Sequence, residues 1–135
     1  MNWVTSSFLA LLSFGFWGLF TKLTVNHIDS KSALIYQSLG VLIIGLITLG
    51  IMEFKPATQL KGISFAVLTG AAYGIGCLFY FIAADKGKII TVVTLTALYP
   101  LVTLALALLL LKESVSLKQC VGIAFGLLAI FLMSS

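Results

Sequence analysis

Apolar residues run along this chain in five long blocks separated by short polar stretches, and within the blocks they do not alternate with polar ones. Outer-membrane strands alternate over about 10 residues, so unbroken runs predict helices instead. The blocks place membrane-spanning helices over residues 3–21, 33–52, 62–84, 89–111 and 117–133. The fourth dominates the pattern: Ile89–Leu111 has no charge between Lys88 and Lys112. At about 1.5 Å of rise per residue it crosses a hydrocarbon core of roughly 30 Å. Pro100 lies in its middle and has no N–H to give, which leaves the carbonyl of Thr96 without its helical partner. A bare carbonyl in lipid costs several kcal/mol, so that face is expected to turn to protein or to a wet cavity. The fifth block, Leu117–Met133, is at the short limit for crossing a bilayer.

The connections carry the turn chemistry. Lys22 follows the first span and is expected to snorkel to the interface. No Lys or Arg precedes that span and no small-residue cleavage site follows it, so it is read as a helix that stays rather than a signal peptide. Asn26–Ser32 is a turn in which Asp29 or Ser30 caps the second helix. Glu53–Lys61, with Pro56 inside, forms the second connection. Asp85-Lys86-Gly87 stops the third span, where Gly87 suits a left-handed C-cap. Ser116-Leu117-Lys118-Gln119 matches a capping box at the start of the fifth.

Composition agrees with the pattern. The chain is 61% apolar and 9% charged, against about 25% charged residues in soluble domains. It is therefore an all-α integral membrane protein, a single membrane domain over 1–135, expected in the cell (inner) membrane. Its connections leave no room for a soluble catalytic or ligand-binding domain. Cys77 and Cys120 lie inside apolar runs without metal-ligand spacing and read as small buried hydrophobes. His27, the single histidine, sits in a connection and reads as solvated. Neither a carboxylate pair, a Ser/His/Asp set nor a phosphate-cradling glycine loop is legible, so no enzyme, metal site or cofactor is expected. The net charge of +4 comes from lysines at span ends; it points to lipid headgroups and away from nucleic acid.

Those lysines divide evenly. Five spans put Lys55, Lys61, Lys112 and Lys118 on one side and Lys22, Lys31, Lys86 and Lys88 on the other. Orientation follows the Lys/Arg bias of the loops, and here the bias vanishes. Either the first helix or the N-terminal amine fixes the topology, or copies insert both ways and pair antiparallel. Many secondary transporters consist of two inverted repeats with the substrate site at their interface. A single repeat reaches the same arrangement by dimerising head to tail.

The run Ala97-Leu98-Tyr99-Pro100, the leucine-rich stretch to Leu111-Lys112-Glu113 and Gly122 in the last span resemble the EamA repeat of the drug/metabolite transporter superfamily. Phe16-Trp17-Gly18 with Thr21-Lys22 is similar to that repeat's opening. The resemblance covers essentially the whole chain, and typical members carry two such repeats. It implies a small five-span, single-repeat member that exports or exchanges small organic metabolites by alternating access, paired with another copy or a partner.

Candidate pathway residues follow the helical period. Ser6, Ala10, Ser13, Trp17, Thr21 and Thr24 form a small or polar stripe on the first span. Such stripes serve helix packing or substrate contact, and Trp17 serves as interface anchor or cavity wall. Tyr73, Cys77 and Tyr80 share a face of the third span, where each tyrosine suits a helix contact or an organic substrate. Gly70 and Gly74 beside them read as a packing seam, and Tyr36 and Gln37 as interfacial residues. Thr96, Tyr99, Pro100 and Thr103 surround the freed carbonyl, as in a simple kink or in the broken helices of transport sites. Gly122, Gly126 and Ala129 make a small-residue face suited to a dimer seam.

The expected substrate-binding set is thus Trp17, Thr21, Tyr73, Tyr80, Thr96, Tyr99, Pro100 and Thr103. No carboxylate lies inside a span, which argues against carboxylate-based proton antiport of cations. The remaining modes are facilitated exchange, or coupling to an ion held by hydroxyls and carbonyls. Two functions fit: a transporter subunit moving amino-acid-like or drug-like solutes as an inverted homodimer in the lipid bilayer, or a non-transporting partner of another membrane protein.

Overall fold

A computed structural model describes residues 2–112 and 116–134. Among these residues there are helices and connections but no strand: α1 (Trp3–Val25), α2 (Ser30–Ile51), α3 (Leu60–Lys86), α4 (Ile89–Thr96), α5 (Tyr99–Leu106) continuing into a π-helical turn (Ala107–Leu111), and α6 (Leu117–Ser134). Four stretches are long and apolar enough to cross a membrane: α1, α2, α3 and the run Ile89–Leu110. In α6 the corresponding apolar stretch is the shorter Cys120–Leu132. Helix covers each of the five predicted runs. The residues fall into two compact units, 1–86 and 87–135.

Helix ends in the first unit extend past the predicted ones because polar residues there find partners. Lys22 lies within α1 rather than ending it, and its ammonium donates to the carbonyl of Ala84 at 2.7 Å. The Thr24 carbonyl then accepts the N–H groups of His27 and Ile28 and closes the helix. Of the two predicted caps for α2, Asp29 is the one used. Its Oδ1 accepts from the N–H groups of Lys31 and Ser32, at 3.0 and 3.1 Å. These bonds, with the Ser32 side chain foremost, hold its carboxyl below the ordinary value of 3.8.

The left-handed cap predicted at Gly87 is not adopted, since no glycine has positive φ among the described residues. The chain leaves α3 through extended backbone at Lys88, φ −70° and ψ 130°. Left-handed residues instead follow α2, at Glu53 and Phe54 (φ 53° and 58°), and end the π turn at Lys112 (φ 53°). The Phe54 N–H reaches the Leu49 carbonyl at 3.1 Å, so a closed terminal turn offsets the strain of two side chains in that region.

Burial in this unit is concentrated at one end. Gly18, Thr21 and Val25 of α1, Ser30 and Ala33 of α2, and Cys77, Tyr80, Phe81 and Ala84 of α3 are buried. They belong to the C-terminal ends of α1 and α3 and the N-terminal end of α2, which lie together. In the opposite halves, 2–16, 38–48 and 60–73, every residue is exposed. The predicted seam of Gly70 and Gly74 is not used within the chain: a Cβ at either would meet nothing within 4 Å. Gly18, next to Trp17 in the chain, is the buried glycine of α1.

In the second unit the fourth span is broken near Pro100, where the sequence allowed a kink or a broken helix. α4 stops at Thr96, and the N–H groups of Ala97 and Leu98 bond to Val93 and Leu95 at 2.9 and 3.2 Å. α5 then restarts at Tyr99 with Pro100 in its first turn, where a missing N–H is not needed. The break therefore sits at Ala97-Leu98, ahead of the proline that causes it. Thr96 turns its hydroxyl onto the carbonyls of Val92 and Val93, at 2.8 and 3.1 Å. α4 packs against α6. Ser116 takes the predicted cap position of α6, its carbonyl accepting from the Cys120 N–H at 3.0 Å. The Gln119 side chain, the other half of the predicted capping box, lies outside the described residues.

The Asp29 cap yields a pH prediction. A carboxyl held low in the fold contributes stability that is complete above its ordinary value and is lost as the pH falls through the depressed one. Asp29→Ala should therefore lower the thermal midpoint in detergent at pH 7, Asp29→Asn should retain most of it, and the gap between wild type and Asp29→Ala should close as the pH drops below about 4.

Candidate functional site

The convergent end of the first unit carries a polar and aromatic cluster. Trp17 donates its indole N–H to Gln37 Oε1 at 2.8 Å, tying α1 to α2. Its ring meets that of Tyr80 on α3, with centroids 4.5 Å apart and planes tilted by 40°. Such a ring pair is worth about 0.5–1.5 kcal/mol beyond the area it buries. One side chain thus links three helices. Its level follows from helical rise: Gln37 is seven residues into α2 and Tyr80 six from the end of α3, each roughly 10 Å along its axis.

Beside this cluster lies a cavity of about 290 Å³, lined by Trp17, Phe20, Thr21, Thr24, Ala33, Tyr36, Gln37 and Phe81. The lining contains no charged side chain. The hydroxyls of Thr21 and Thr24 donate to the carbonyls of Trp17 and Phe20, at 2.9 and 2.8 Å. Their protons are spent within the helix, and the oxygens keep acceptor capacity. Gln37 contributes an amide and Tyr36 a hydroxyl, so the walls are apolar and aromatic with a few neutral hydrogen-bonding groups. That is the usual make-up of a small-molecule pocket.

Three of the sequence-predicted substrate residues, Trp17, Thr21 and Tyr80, come together here. Tyr73 does not: it lies two turns away on α3, is exposed, and does not line the cavity. Thr96, Tyr99, Pro100 and Thr103 belong to the second unit. There Thr96 ends α4, Tyr99 and Pro100 open α5, and the Thr103 hydroxyl bonds weakly to the Tyr99 carbonyl at 3.5 Å. Gly122, Gly126 and Ala129 are exposed on α6, and a Cβ at either glycine would meet nothing within 4 Å.

Gln37, read in the sequence only as interfacial, is the partner of Trp17 across α1 and α2. The available signal was a carboxamide seven residues inside an apolar helix, a group that must find a partner in lipid. Phe20 and Phe81 carried no signal, because wall and lipid-facing phenylalanines look alike in sequence.

Comparison with known proteins settles the class. The sequence model described as the EamA-like transporter family matches residues 1–135. The chain belongs to the EamA-like transporter family. It is 33% identical over 134 residues to an uncharacterized protein of Methanocaldococcus jannaschii, covering 96% of each chain. It is 28% identical to the probable glucose uptake protein GlcU of Staphylococcus epidermidis, covering 93% of this chain and 42% of that one. An uncharacterized transporter of Helicobacter pylori strain J99 is 27% identical, with 97% and 44% covered. The chain thus spans less than half the length of these two transporters. No solved structure matches it. This EamA-like chain is accordingly a multi-pass protein of the cell membrane, in a family of transporters.

The Trp17–Gln37 bond predicts a measurable coupling. Trp17→Phe and Gln37→Leu, made singly and together, should give a double-mutant coupling of about 0.6 kcal/mol, with about 1.7 as the upper range for hydrogen bonds between membrane helices. Reversible unfolding in mixed micelles checks it.

Proposed function

We propose that this chain is the subunit of a secondary transporter that moves small uncharged or zwitterionic organic solutes by alternating access, working as an inverted homodimer. The observation that carries the substrate class is the uncharged, aromatic lining of the cavity beside Trp17. A solute with net charge would enter it without a counter-charge, at a desolvation cost that such walls do not offset. A neutral or zwitterionic molecule of amino-acid or sugar size can instead lay an apolar face on the indole and exchange hydrogen bonds with Gln37, Tyr36 and the threonine oxygens. The glucose uptake proteins among its relatives support testing sugars beside amino acids.

Three observations support the inverted pair. Five crossings would divide the eight loop lysines four and four between the two sides of the membrane. The relatives named as transporters are more than twice as long as the stretch this chain matches, which leaves room for a second repeat. The face of Gly122, Gly126 and Ala129 is open and narrow enough for close helix approach. On this reading Thr96, Tyr99, Pro100 and Thr103, at the broken helix, line the pathway in the second unit. Tyr73 on α3 remains a candidate wall residue for the assembled pair.

Purified protein in liposomes should take up labelled sugar or neutral amino acid unaided, and Trp17→Ala, Tyr99→Ala and Pro100→Ala should each lower uptake at unchanged expression. Gly126→Leu should shift the dimer to monomer in size-exclusion light scattering. A C-terminal reporter should be detected on both sides of the membrane. Strict dependence of uptake on a second polypeptide would contradict the homodimer, and normal uptake by all three site variants would move the pathway elsewhere.

A further inference from the structure

Lys22 is the deepest charged side chain in the membrane-spanning sequence, and its ammonium docks on the backbone of another helix. It lies 2.7 Å from the carbonyl oxygen of Ala84 on α3. Ala84 is fully buried and belongs to the last four residues of α3, whose carbonyls have no helical donor. A cation at that end also meets the negative pole of the helix. The bond lies beside the cavity. Thr21 and Thr24 on either side of Lys22 line the cavity, and so does Phe81, one turn before Ala84.

The rest of the unit gives the bond a direction. All its buried residues lie at this end, while the opposite halves of α1, α2 and α3 bury nothing. The unit is closed beside the connection bearing Asp29 and open at the other end. A solute leaving the cavity past the closed end needs α1 to separate from α3, and the Lys22 bond spans that seam.

We propose that Lys22 is a positioning residue that latches the closed side: docked on the Ala84 carbonyl it holds α1 against α3, and its release opens the cavity to the side of Asp29 and Asp85. The latch rests on the transporter reading for its purpose, but its existence is tested without any solute.

Cys77 supplies the readout, because it is buried on the α3 face of this seam with 3% of its surface exposed. With the exposed Cys120 replaced by Ser, Cys77 is the single thiol, and its rate of reaction with N-ethylmaleimide in nanodiscs follows the open population. Lys22→Met keeps the apolar stem and removes the donor. It should speed labelling of Cys77 roughly tenfold or more, the change in opening expected from losing one hydrogen bond to a charged donor. Lys22→Arg, which keeps a charged donor, should stay near the wild-type rate. A control places the thiol at buried Thr94 in the second unit (Thr94→Cys, with Cys77 and Cys120 replaced by Ser); Lys22→Met should leave its rate unchanged. Wild-type labelling of Cys77 in Lys22→Met overturns the latch, and so does equal acceleration at position 94, which would mean general unfolding. Failure of liposome uptake bears on the transporter reading alone, because the labelling contains no transport step.

Discussion

Inside a bilayer a polar group has no water to fall back on, and this constraint accounts for most of what the chain does with its few polar atoms. Hydroxyls of Ser7, Ser13, Thr21, Thr24, Ser38, Thr48, Ser64 and Thr69 bond to the carbonyl four residues earlier on their own helix. That choice satisfies each group locally and leaves helix faces free of obligatory partners. Groups too long or too strongly polar for it bond between helices: Trp17 to Gln37, and Lys22 to Ala84. These bonds occur where α1, α2 and α3 come together, and the buried apolar residues of the unit lie around them.

An asymmetric unit follows. One end is sealed by Val25, Ala33, Phe81 and Ala84 around the Lys22 bond, and the other presents long apolar faces with nothing against them. The aromatic cavity lies just inside the seal. A structure closed on one side with a neutral pocket behind the closure fits alternating access, provided the seal can open. In the second unit, the break at Ala97-Leu98 and the π turn ending at Lys112 give the fourth span two points at which regular α-helix is already interrupted.

How much of this was legible in the sequence depended on whether a local rule decided the outcome. The five apolar runs and the Asp29 cap follow from short-range chemistry, and they appear as read. Pro100 marks the flaw of the fourth span in the sequence. Its break lies earlier because the chain spares hydrogen bonds by restarting the helix with the proline in its first turn. The end of α1 moved from Thr21 to Val25 because Lys22 finds a distant carbonyl, which no window around residue 22 reveals. The role of Gln37 in the cluster is hidden for the same reason: its partner is on another helix. Gly70 and Gly74 share the spacing of a packing seam, yet spacing alone does not say that a helix comes to meet them.

The central claim is that the solute binds against Trp17. The chain has two tryptophans, Trp3 and Trp17, so a Trp3→Phe variant reports on the site through its indole emission. Titrating the liposome-reconstituted variant with a solute that it transports should shift or quench that emission saturably, at concentrations matching half-maximal uptake. A solute carried at the normal rate that leaves the emission of Trp17 unchanged would contradict the account.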